Sequence, residues 1–329
     1  MKKILLLGLF MFFCVVVIAQ ETGTVVIDKV GYRVLSEEEN TAECYYVEMY
    51  IQDMAVRPKV TISNQEYTVT SIADKTVMLQ WGYKITNLTL PNTLKHVGSY
   101  NFIGCPISDL QLPSSLEYIG YGSFQALDLI PSIFVPASLT CISSVVFNGC
   151  VNCTSIIVDE KNPIYDSREN CNAVVETSSN QLIAGCQATV VPSTVTAIGA
   201  GSFSYCRNLN SITLPENVSF VGRSAFGGCY NLSSITILSA TPPLAEEDII
   251  QDAAYKKAVL YVPKGTKAIY QAAPIWGKFS NIKELDSSGV QPANSIKDTS
   301  LLYDLQGRRL TGKPAKGLYI QNGRKVMVK

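Results

Sequence analysis

The 329-residue chain has almost no histidine, little charge and only one long apolar run. Lys and Arg number 27, Asp and Glu also number 27, and charged residues make up only 16% of the chain. Because there is no basic excess to neutralise phosphates, we expect no nucleic-acid partner. The chain also lacks Gly-x-Ser-x-Gly, phosphate-loop and dinucleotide motifs, so it offers no recognisable hydrolase or nucleotide site.

The single histidine, His96, excludes a metal site built on two histidines and leaves one candidate base for nucleophilic catalysis. It stands between Leu94 and Val97, two positions expected to face inward, so His96 is predicted to face solvent. The acidic clusters at 159–160 and 246–248 favour solvated loops over calcium sites. We therefore expect no enzyme activity, no metal and no cofactor.

The one long apolar run lies at the N-terminus. Lys2 and Lys3 form a positive start, Ile4–Ile18 is uninterrupted and apolar, and Ala19 completes a small-residue cleavage pattern. A membrane anchor is the alternative, but the run is short for a bilayer span and has no stop-transfer flank. We expect residues 1–19 to be a cleaved signal peptide and the mature protein to be secreted.

The middle of the chain repeats a phrase of about 23 residues. Its pattern is Leu-x-Leu-Pro-x-x-Leu-x-x-Ile/Val-Gly-x-x-x-Phe, and three clear copies begin at Leu88, Leu110 and Ile212. Five copies are counted by their phenylalanines: Phe102, Phe124, Phe147, Phe203 and Phe226. A fixed period of this length predicts a solenoid, in which each unit buries its apolar face only against its neighbours.

One interval between the phenylalanines is too long. The spacings are 22, 23, 56 and 23 residues, so the coil after Phe147 carries about 33 extra residues, at about 159–188. Two β-like runs, 173–177 and 181–186, predict a hairpin within this insertion. The repeat register resumes at Val191 and Pro192.

The first copy shows what each unit predicts. Leu88 and Leu90 alternate with polar residues, which predicts a short strand, and Pro91 ends it. Leu94 and Val97, three apart, predict a short helical or 3₁₀ turn. Stacked units would then form a mostly β or α/β solenoid, with a parallel sheet on one face and turns and short helices on the other.

Nine cysteines follow the signal peptide, and their positions favour packing over cross-linking. Four of them stand three residues after a repeat phenylalanine, where the second copy has Leu127: Cys105, Cys150, Cys206 and Cys229. A slot filled by either Cys or Leu is an apolar packing slot. Cys206 and Cys229 lie in adjacent coils and could be bridged, but free thiols are favoured. The lone Cys150-x-x-Cys153 pattern is a weak redox or metal signal.

Both ends of the repeat array have different patterns. Alternating apolar runs before residue 80 predict a β-rich N-terminal cap, in which 64–72 is similar to a first repeat entry. Beyond the repeats, 258–263 predicts one last strand, and 266–273 predicts a helix with Ile269 and Ala273 on one side. In the tail, Asn322-Gly323 between alternating runs predicts a type I′ hairpin. The expected organisation is signal peptide 1–19, N-terminal cap 20–80, repeats 81–245, C-terminal cap 246–285, linker 286–298 and a β-hairpin tail 299–329.

The repeat phrase, with Cys three residues after Phe, closely resembles the bacterial surface leucine-rich repeats called BspA-like. The resemblance covers about residues 60–285, including Asn162-Pro163-x-Tyr165 in the insertion. The tail, with Tyr303-Asp-Leu-Gln-Gly-Arg-Arg and Lys316-Gly-Leu-Tyr319, is similar to sorting signals of type IX secretion. These resemblances imply export, display at the bacterial cell surface and adhesion to host matrix proteins or other bacteria, without catalysis by the repeats.

The outward face of the repeat sheet is the candidate partner-binding surface. The residue between the two inward positions of each strand gives one row: Thr89, Gln111, Phe134, Ile157, Val190, Thr213 and Thr236. The position before the first inward residue gives a second row: Asn87, Asp109, Ser132, Ser155, Ser211 and Ser234. Phe134, Ile157 and Val190 are expected to be adjacent and flanked by polar side chains, as in a recognition site. The alternative is that the insertion covers them.

Three non-catalytic functions are compatible with this sequence. The first is a secreted adhesion or binding module for an extracellular protein or glycan. The second is a structural surface or matrix component without a dedicated ligand, and the third is a carbohydrate-associated accessory protein. We expect contact with a membrane only through surface anchoring of the tail.

Overall fold

A computed structural model describes residues 23–77 and 84–285, together with the backbone of three strands in the tail. The predicted signal peptide, the predicted linker and the Asn322-Gly323 turn lie outside the described residues. No helix in the described ranges has the length and apolar character needed to cross a bilayer.

The N-terminal segment forms a β-rich cap. Its strands are β1 (Thr24–Ile27), β2 (Val30–Ser36), β3 (Thr41–Val47), β4 (Asp53–Ala55), β5 (Lys59–Ile62) and β6 (Gln65–Ile72). β1, β2 and β3 pair in antiparallel order, and β5 pairs antiparallel with β6. The end of β6 pairs in parallel with the next coil, where Ile72 is in register with Val97. Coil stacking therefore starts inside the segment predicted as the cap.

The repeats place short parallel strands in two rows along the coils. Before the insertion the strands are β7 (Asn87–Thr89), β8 (His96–Val97), β9 (Tyr118–Ile119), β10 (Ser132–Val135), β11 (Cys141–Ile142) and β12 (Ser155–Val158). The insertion contains β13 (Tyr165–Asp166), β14 (Ala173–Glu176) and β15 (Gln181–Gly185). After the insertion the strands are β16 (Ala197–Ile198), β17 (Ser211–Leu214), β18 (Phe220–Val221), β19 (Ser234–Ile237) and β20 (Leu244–Ala245). The first row, which we call the first sheet, comprises the Leu-x-Leu strands in three separately hydrogen-bonded pieces: β4 with β7, β10 with β12, and β17 with β19. The second row, which we call the second sheet, comprises the two-residue strands in two pieces: β8, β9 and β11 continue the N-terminal cap, and β16, β18 and β20 continue the insertion.

The tight turns predicted for this face are present, but short strands of the second sheet stand where short helices were predicted. Leu94 donates its N–H to Pro91 O at 3.0 Å, which closes a tight turn, and β8 follows directly. Strands form here because the coils stack and bond to each other, as where the Gly98 N–H donates to Ile72 O of the preceding coil at 2.8 Å. Backbone groups that bond from coil to coil are not free for helical bonds within one coil. The fold is a mostly β leucine-rich-repeat solenoid.

The repeat phenylalanines fill the core along the third side of the coils. Ring centroids are 5.4 Å apart for Phe102 and Phe124, and 6.2 Å apart for Phe124 and Phe147. After the insertion, the rings of Phe203 and Phe226 stack at 5.6 Å. All five side chains are buried, which confirms the prediction that they form the core.

The nine cysteines among the described residues are free thiols, and all except Cys141 are buried. The four cysteines of the repeat slot and Leu127 are among the buried residues, which confirms the packing slot. Cys206 and Cys229 are not bridged, since their thiols donate to different carbonyl oxygens. The acceptors are Gly185 O at 3.7 Å and Phe203 O at 3.0 Å, respectively.

The insertion places two strands across the core. β14 and β15 pair antiparallel, and β15 also pairs in parallel with β16, so the insertion joins the second sheet. We call β14 and β15 the partition hairpin. On one face, Val174 and Ala184 belong to the hydrophobic cluster of the preceding coils, whereas Val175 and Leu182 belong to the cluster of the following coils. Both faces of this hairpin are therefore packed in the core.

The Asn162-Pro163-x-Tyr165 motif attaches the insertion to the coil before it. The Asn162 side-chain amide donates to Pro136 O and Leu139 O, each at 2.8 Å. The Tyr165 hydroxyl accepts a hydrogen bond from the Ile142 N–H at 3.1 Å. These bonds satisfy backbone groups at the place where the regular ladder is interrupted.

The C-terminal cap contains α1 (Asp252–Lys257), β21 (Val259–Val262), α2 (Lys267–Ala272) and β22 (Asn281–Glu284). β21 was predicted to be the last strand, but β22 pairs with it in parallel and extends the first sheet. The predicted helix is present as α2, and it buries Tyr270 fully and leaves Ile269 48% exposed. Tyr270 offers a larger apolar surface, and its hydroxyl donates to Ser239 O at 2.8 Å.

The tail forms three antiparallel strands, as its alternating pattern predicts. They are β23 (Leu302–Tyr303), β24 (Gly317–Gln321) and β25 (Arg324–Val328). Gln321 is in register with Arg324, so two residues connect β24 to β25.

Candidate functional site

Five of the seven predicted outward residues lie on strands of the first sheet, whereas Gln111 and Val190 lie outside any strand, and the members differ in exposure. Thr89 and Gln111 are exposed, Phe134 and Ile157 are half-buried, and Val190 is 63% exposed. Strand alternation explains the direction of the row, because the residues on either side of Phe134 and of Ile157 are buried. Thr213 is half-buried.

Two of the three apolar candidates are neighbours, and the third is not. Phe134 and Ile157 are partners in the parallel register of β10 and β12. Val190 lies outside any strand, and its N–H donates to Cys171 O of the insertion at 3.1 Å. The first sheet is interrupted between β12 and β17, because the insertion occupies this part of the coil. The expected patch of three is therefore a pair, and the insertion leaves the pair partly exposed.

Two predicted outward residues are buried. Thr236 is only 9% exposed, because it lies in register between Thr213 and the large side chain of Tyr261. Ser155 is 5% exposed and lies on β12, which packs against the partition hairpin. Tyr261 also extends the outward row by one position that the sequence analysis missed, because β21 was not assigned to the row.

The charged and titratable groups singled out in the sequence have local partners. His96 is exposed on β8 and its ring lies 6.2 Å from that of Tyr118. In the acidic clusters, Asp159 Oδ1 accepts the Lys161 N–H at 2.9 Å, and Glu246 Oε2 accepts the Arg223 N–H at 2.6 Å. Within the described ranges, His, Cys, Asp and Glu side chains form no group of three that could hold a metal ion.

A second surface feature, which the sequence analysis missed, is a shallow cleft of about 200 Å³ on the phenylalanine side of the coils. The lining residues come from four successive turns: Ile103, Gln125, Ala126, Asp128, Gly149, Tyr205 and Arg207. The lining therefore includes aromatic, basic, acidic and amide residue types. This combination can stack on a ring and hydrogen-bond to polar substituents.

Tyr205 has an unusual backbone conformation for its residue type. Its φ is 60°, in the left-handed region that favours glycine. The equivalent positions of the other copies are all small: Gly104, Ala126, Gly149 and Gly228. A tyrosine fits because its neighbours are glycines, and a Cβ on Gly228 would come within 2.6 Å of the Tyr205 ring. In the sequence, this feature is visible as one large residue at a repeat position that is otherwise occupied by glycine or alanine.

Backbone conformations of this kind carry a cost of roughly 1–2 kcal/mol for residues with a Cβ. The same left-handed conformation occurs at this position in every copy, so it belongs to the repeat turn, and only the tyrosine side chain is particular to this copy. Tyr205 remains 42% exposed despite its contacts with Gly149 and Gly228. The cleft and the Phe134–Ile157 pair are therefore the two candidate recognition surfaces of the described chain.

Comparisons with known proteins agree with this geometry. The family model for the BspA-type leucine-rich repeat region matches six copies, at residues 61–173 and 181–252. The unmatched residues 174–180 lie in the insertion, where they include most of β14 and the turn to β15. No curated protein sequence is significantly similar to the chain.

Several solved structures are similar to the chain. A leucine-rich repeat protein from Eubacterium ventriosum is 18% identical, with 89% of this chain and 97% of that chain covered and a TM-score of 0.49. A leucine-rich cell surface protein from Faecalibacterium prausnitzii is 16% identical, with coverages of 81% and 96% and a TM-score of 0.32. The pneumococcal vaccine antigen PcpA is 14% identical, with coverages of 81% and 100% and a TM-score of 0.39. On the match of its repeats to the family model, the chain belongs to the BspA-type leucine-rich repeat family.

Proposed function

We propose that this protein is a secreted, surface-displayed, non-catalytic binding module whose first sheet contacts an extracellular protein or glycan. Family membership supports a repeat scaffold, and the scaffold offers a regular outward row on rigid parallel strands. The observation that carries the proposal is the in-register pair of Phe134 and Ile157, which keeps apolar surface in contact with solvent.

This pair has the composition of a small interaction centre. Phe134 and Ile157 are held between buried neighbours on both strands, so their side chains are presented with little loss of freedom on binding. Polar residues surround them along the row, with Gln111 on one side and Thr213 beyond the insertion. An apolar centre with a polar rim is the usual arrangement of a protein-recognition surface.

The test compares a double variant with a matched control. Phe134→Ala with Ile157→Ser removes the apolar pair, and we expect binding to immobilised matrix proteins or to whole cells to fall by about tenfold or more. Val190→Ser is the control, because it removes an equally apolar but separate exposed residue. If the double variant folds as the wild type and binds as well, this part of the first sheet is not the contact surface.

The cleft supports a second candidate function, glycan recognition. Tyr205 provides an exposed aromatic ring, and Arg207, Asp128 and Gln125 provide donors and acceptors around it. Tyr205→Gly is a clean test, because glycine relieves the left-handed strain and keeps the fold. We expect this variant to lose glycan-array binding without loss of stability, whereas Tyr230→Ala, at another exposed tyrosine, should bind as the wild type. Equal binding by Tyr205→Gly would exclude the cleft.

Surface display is a separate part of the proposal. The Faecalibacterium prausnitzii relative is described as a cell surface protein, and the tail of this chain forms three strands after the cap. Deletion of residues 299–329 should leave the repeats folded, as measured by circular dichroism, and abolish detection of the protein on intact cells. Unchanged display of the truncated protein would exclude a sorting role for the tail. If the full-length protein is displayed but neither candidate surface binds anything, a structural role in the cell surface is favoured.

A further inference from the structure

Two exposed tyrosines from adjacent coils form a pair in the turns that precede Phe102 and Phe124. The ring centroids of Tyr100 and Tyr121 are 5.2 Å apart, and the two side chains are 39% and 43% exposed. The Lys75 ammonium, from the preceding coil, lies 5.8 Å from the centroid of the Tyr100 ring. The pair therefore keeps aromatic surface in contact with solvent, beside a cation.

Tyr100 occupies a turn position that glycine fills in two other copies. Its equivalents are Gly122 and Gly201 in those copies, and Lys75 in the coil before. The backbone is left-handed at all four residues, with φ between 57° and 66°, so the conformation belongs to the repeat and only the side chain is particular to each copy. Because glycine adopts this conformation without strain, a glycine in place of Tyr100 is compatible with the turn.

The tyrosine pair and the cleft are neighbours through Gln125. A Cβ on Gly122 would lie 3.8 Å from Tyr100 Cδ1 and 3.5 Å from Gln125 Oε1, so the Tyr100 ring and the Gln125 amide both border Gly122. Gln125 also lines the cleft, together with Tyr205. The surface is therefore continuous from the pair to the cleft, and we call Tyr100, Tyr121, Gln125 and Tyr205 the tyrosine track.

A cation stands near each end of the tyrosine track. Lys75 and Arg207 are both exposed, and within the described residues neither forms a salt bridge. Asp128 lines the cleft together with Arg207, but the two occupy the same repeat position two coils apart. Two coil steps amount to roughly 10 Å at the spacing of stacked strands, so the Asp128 carboxylate does not pair with the guanidinium.

We propose that the tyrosine track binds a linear acidic glycan that lies along the solenoid axis. Sugar rings stack on Tyr205 at one point and on the Tyr100–Tyr121 pair at another. The Gln125 amide, between these two points, hydrogen-bonds to hydroxyl groups of the chain. The proposal rests on the second candidate function, glycan recognition by the cleft, and names the class of glycan.

The charges and the length of the track determine this class. Lys75 and Arg207 have no acidic partner, so carboxylate or sulfate groups of the glycan pair with them in charge-assisted contacts. Four coil steps separate Lys75 from Arg207 and span roughly 19 Å at the strand spacing. A chain of several sugar units bridges this span, whereas a disaccharide does not reach both cations.

The experiment measures binding of the purified full chain to defined oligosaccharides by calorimetry. The acidic probes are hexasaccharides and disaccharides of hyaluronan, chondroitin sulfate and polygalacturonate, and xylohexaose is the neutral linear probe. We expect at least one acidic hexasaccharide to bind about tenfold more tightly than its own disaccharide and than xylohexaose, because two stacking points and two cations act on one chain. If no acidic hexasaccharide binds more tightly than xylohexaose, the proposal is overturned.

Two variants test the two parts of the track. Tyr100→Gly removes one stacking ring and should weaken hexasaccharide binding by about tenfold without lowering the melting temperature. Lys75→Gln with Arg207→Gln should remove the preference for acidic over neutral chains and keep the fold, as measured by circular dichroism. Tyr46→Ala, at a tyrosine of similar exposure (45%) in the N-terminal cap, is the control and should bind as the wild type.

The results separate the track from the cleft. If Tyr205→Gly loses binding and Tyr100→Gly binds every probe as well as the wild type, the track is overturned and the cleft remains a site for a small glycan. An unchanged acidic preference in Lys75→Gln with Arg207→Gln would overturn the assignment of the two cations. If none of the probes binds, the track and the glycan function of the cleft are both overturned.

Discussion

The regular coils and the partition hairpin fill the core of the solenoid in opposite ways. In the regular coils, a phenylalanine from each unit stacks on the next, so the core continues from coil to coil. At the insertion there is no phenylalanine, and Gly185 instead lies against the ring of Phe203. Two strands with apolar residues on both faces separate the hydrophobic cluster before the insertion from the cluster after it.

The difference shows that a solenoid tolerates an insertion when the inserted residues keep its backbone ladder. β15 pairs with β16 in the register of the second sheet, so the following coil meets a normal parallel partner. On the phenylalanine side, the Asn148 side-chain amide donates to Gly201 O at 2.6 Å, and the Gly149 N–H donates to Ser204 O at 3.1 Å. The turns before and after the insertion are therefore bonded to each other directly.

The largest expected effect is at a regular coil. Phe124→Ala removes a ring that stacks on two neighbours and is fully buried, so it should lower the free energy of unfolding by ~3–5 kcal/mol. Chemical denaturation followed by circular dichroism measures this loss. A loss below about 1 kcal/mol, as for an exposed site, would show that the ring stack is not part of the core.

At the partition hairpin, adding an atom to the core, and not removing atoms from it, is expected to destabilise the protein. A Cβ on Gly185 would come within 2.2 Å of the Phe203 ring, so Gly185→Ala should cost about 1–3 kcal/mol through overpacking. Phe203→Leu in the Gly185→Ala background should recover part of this loss, measured as a coupling in a double-mutant cycle. Strictly additive losses would mean that the two residues do not share the space.

A smaller effect is expected at the outer end of the insertion, and it depends on pH. Partial burial raises the pKa of Asp166, but hydrogen bonds from Arg168 and Thr177 outweigh burial and lower the pKa. The ionised form is thus favoured in the folded state, so this stabilisation is present near neutral pH and is lost as the pH falls through the lowered value. Because the pair is partly exposed, Asp166→Asn should cost less than about 1 kcal/mol at pH 7.

The measurement is the free energy of unfolding from pH 7 down to about pH 2 for the wild type and Asp166→Asn. The two curves should converge at low pH, where Asp166 of the wild type is protonated as well. A constant difference across this range would show that the ionised carboxylate contributes nothing. Asp159→Asn, in the same insertion, is the control.

The smallest effect is expected on the outward row. Thr89→Ala, at an exposed position, should change the free energy of unfolding by less than about 0.5 kcal/mol. Thr236→Ala, at the equivalent but buried position of a later coil, should have a larger effect. Equal effects at both positions would mean that Tyr261 does not cover Thr236.

Periodicity predicted the parts of the fold that each unit repeats. The spacing of Phe102, Phe124 and Phe147 was sufficient to place the core side of each coil, since only stacking makes one residue type recur at one interval. It did not predict the strand at Val97, because two apolar positions three residues apart, here Leu94 and Val97, suit a helical turn or a turn followed by a two-residue strand equally well. Whether a helix or a strand forms depends on hydrogen bonds between neighbouring coils, and the sequence of one unit does not specify those bonds.

The candidate site was predicted less completely than the fold. Alternation correctly placed Phe134 and Ile157 on the outward face, but burial of Thr236 depends on Tyr261, which arrives from the C-terminal cap. The cleft around Tyr205 joins residues from turns that are far apart in the chain, because the turns before and after the insertion are neighbours in space.

The sequence by itself determined that this protein is a repeat solenoid, which residues fill its core and where one coil is enlarged. Those properties follow from local patterns, because each coil buries its own apolar residues against a copy of itself. The tertiary structure decided that the insertion lies inside the core and not over the sheet, and which outward residues stay exposed. These are contacts between segments that differ from one another, and no repeat period encodes them.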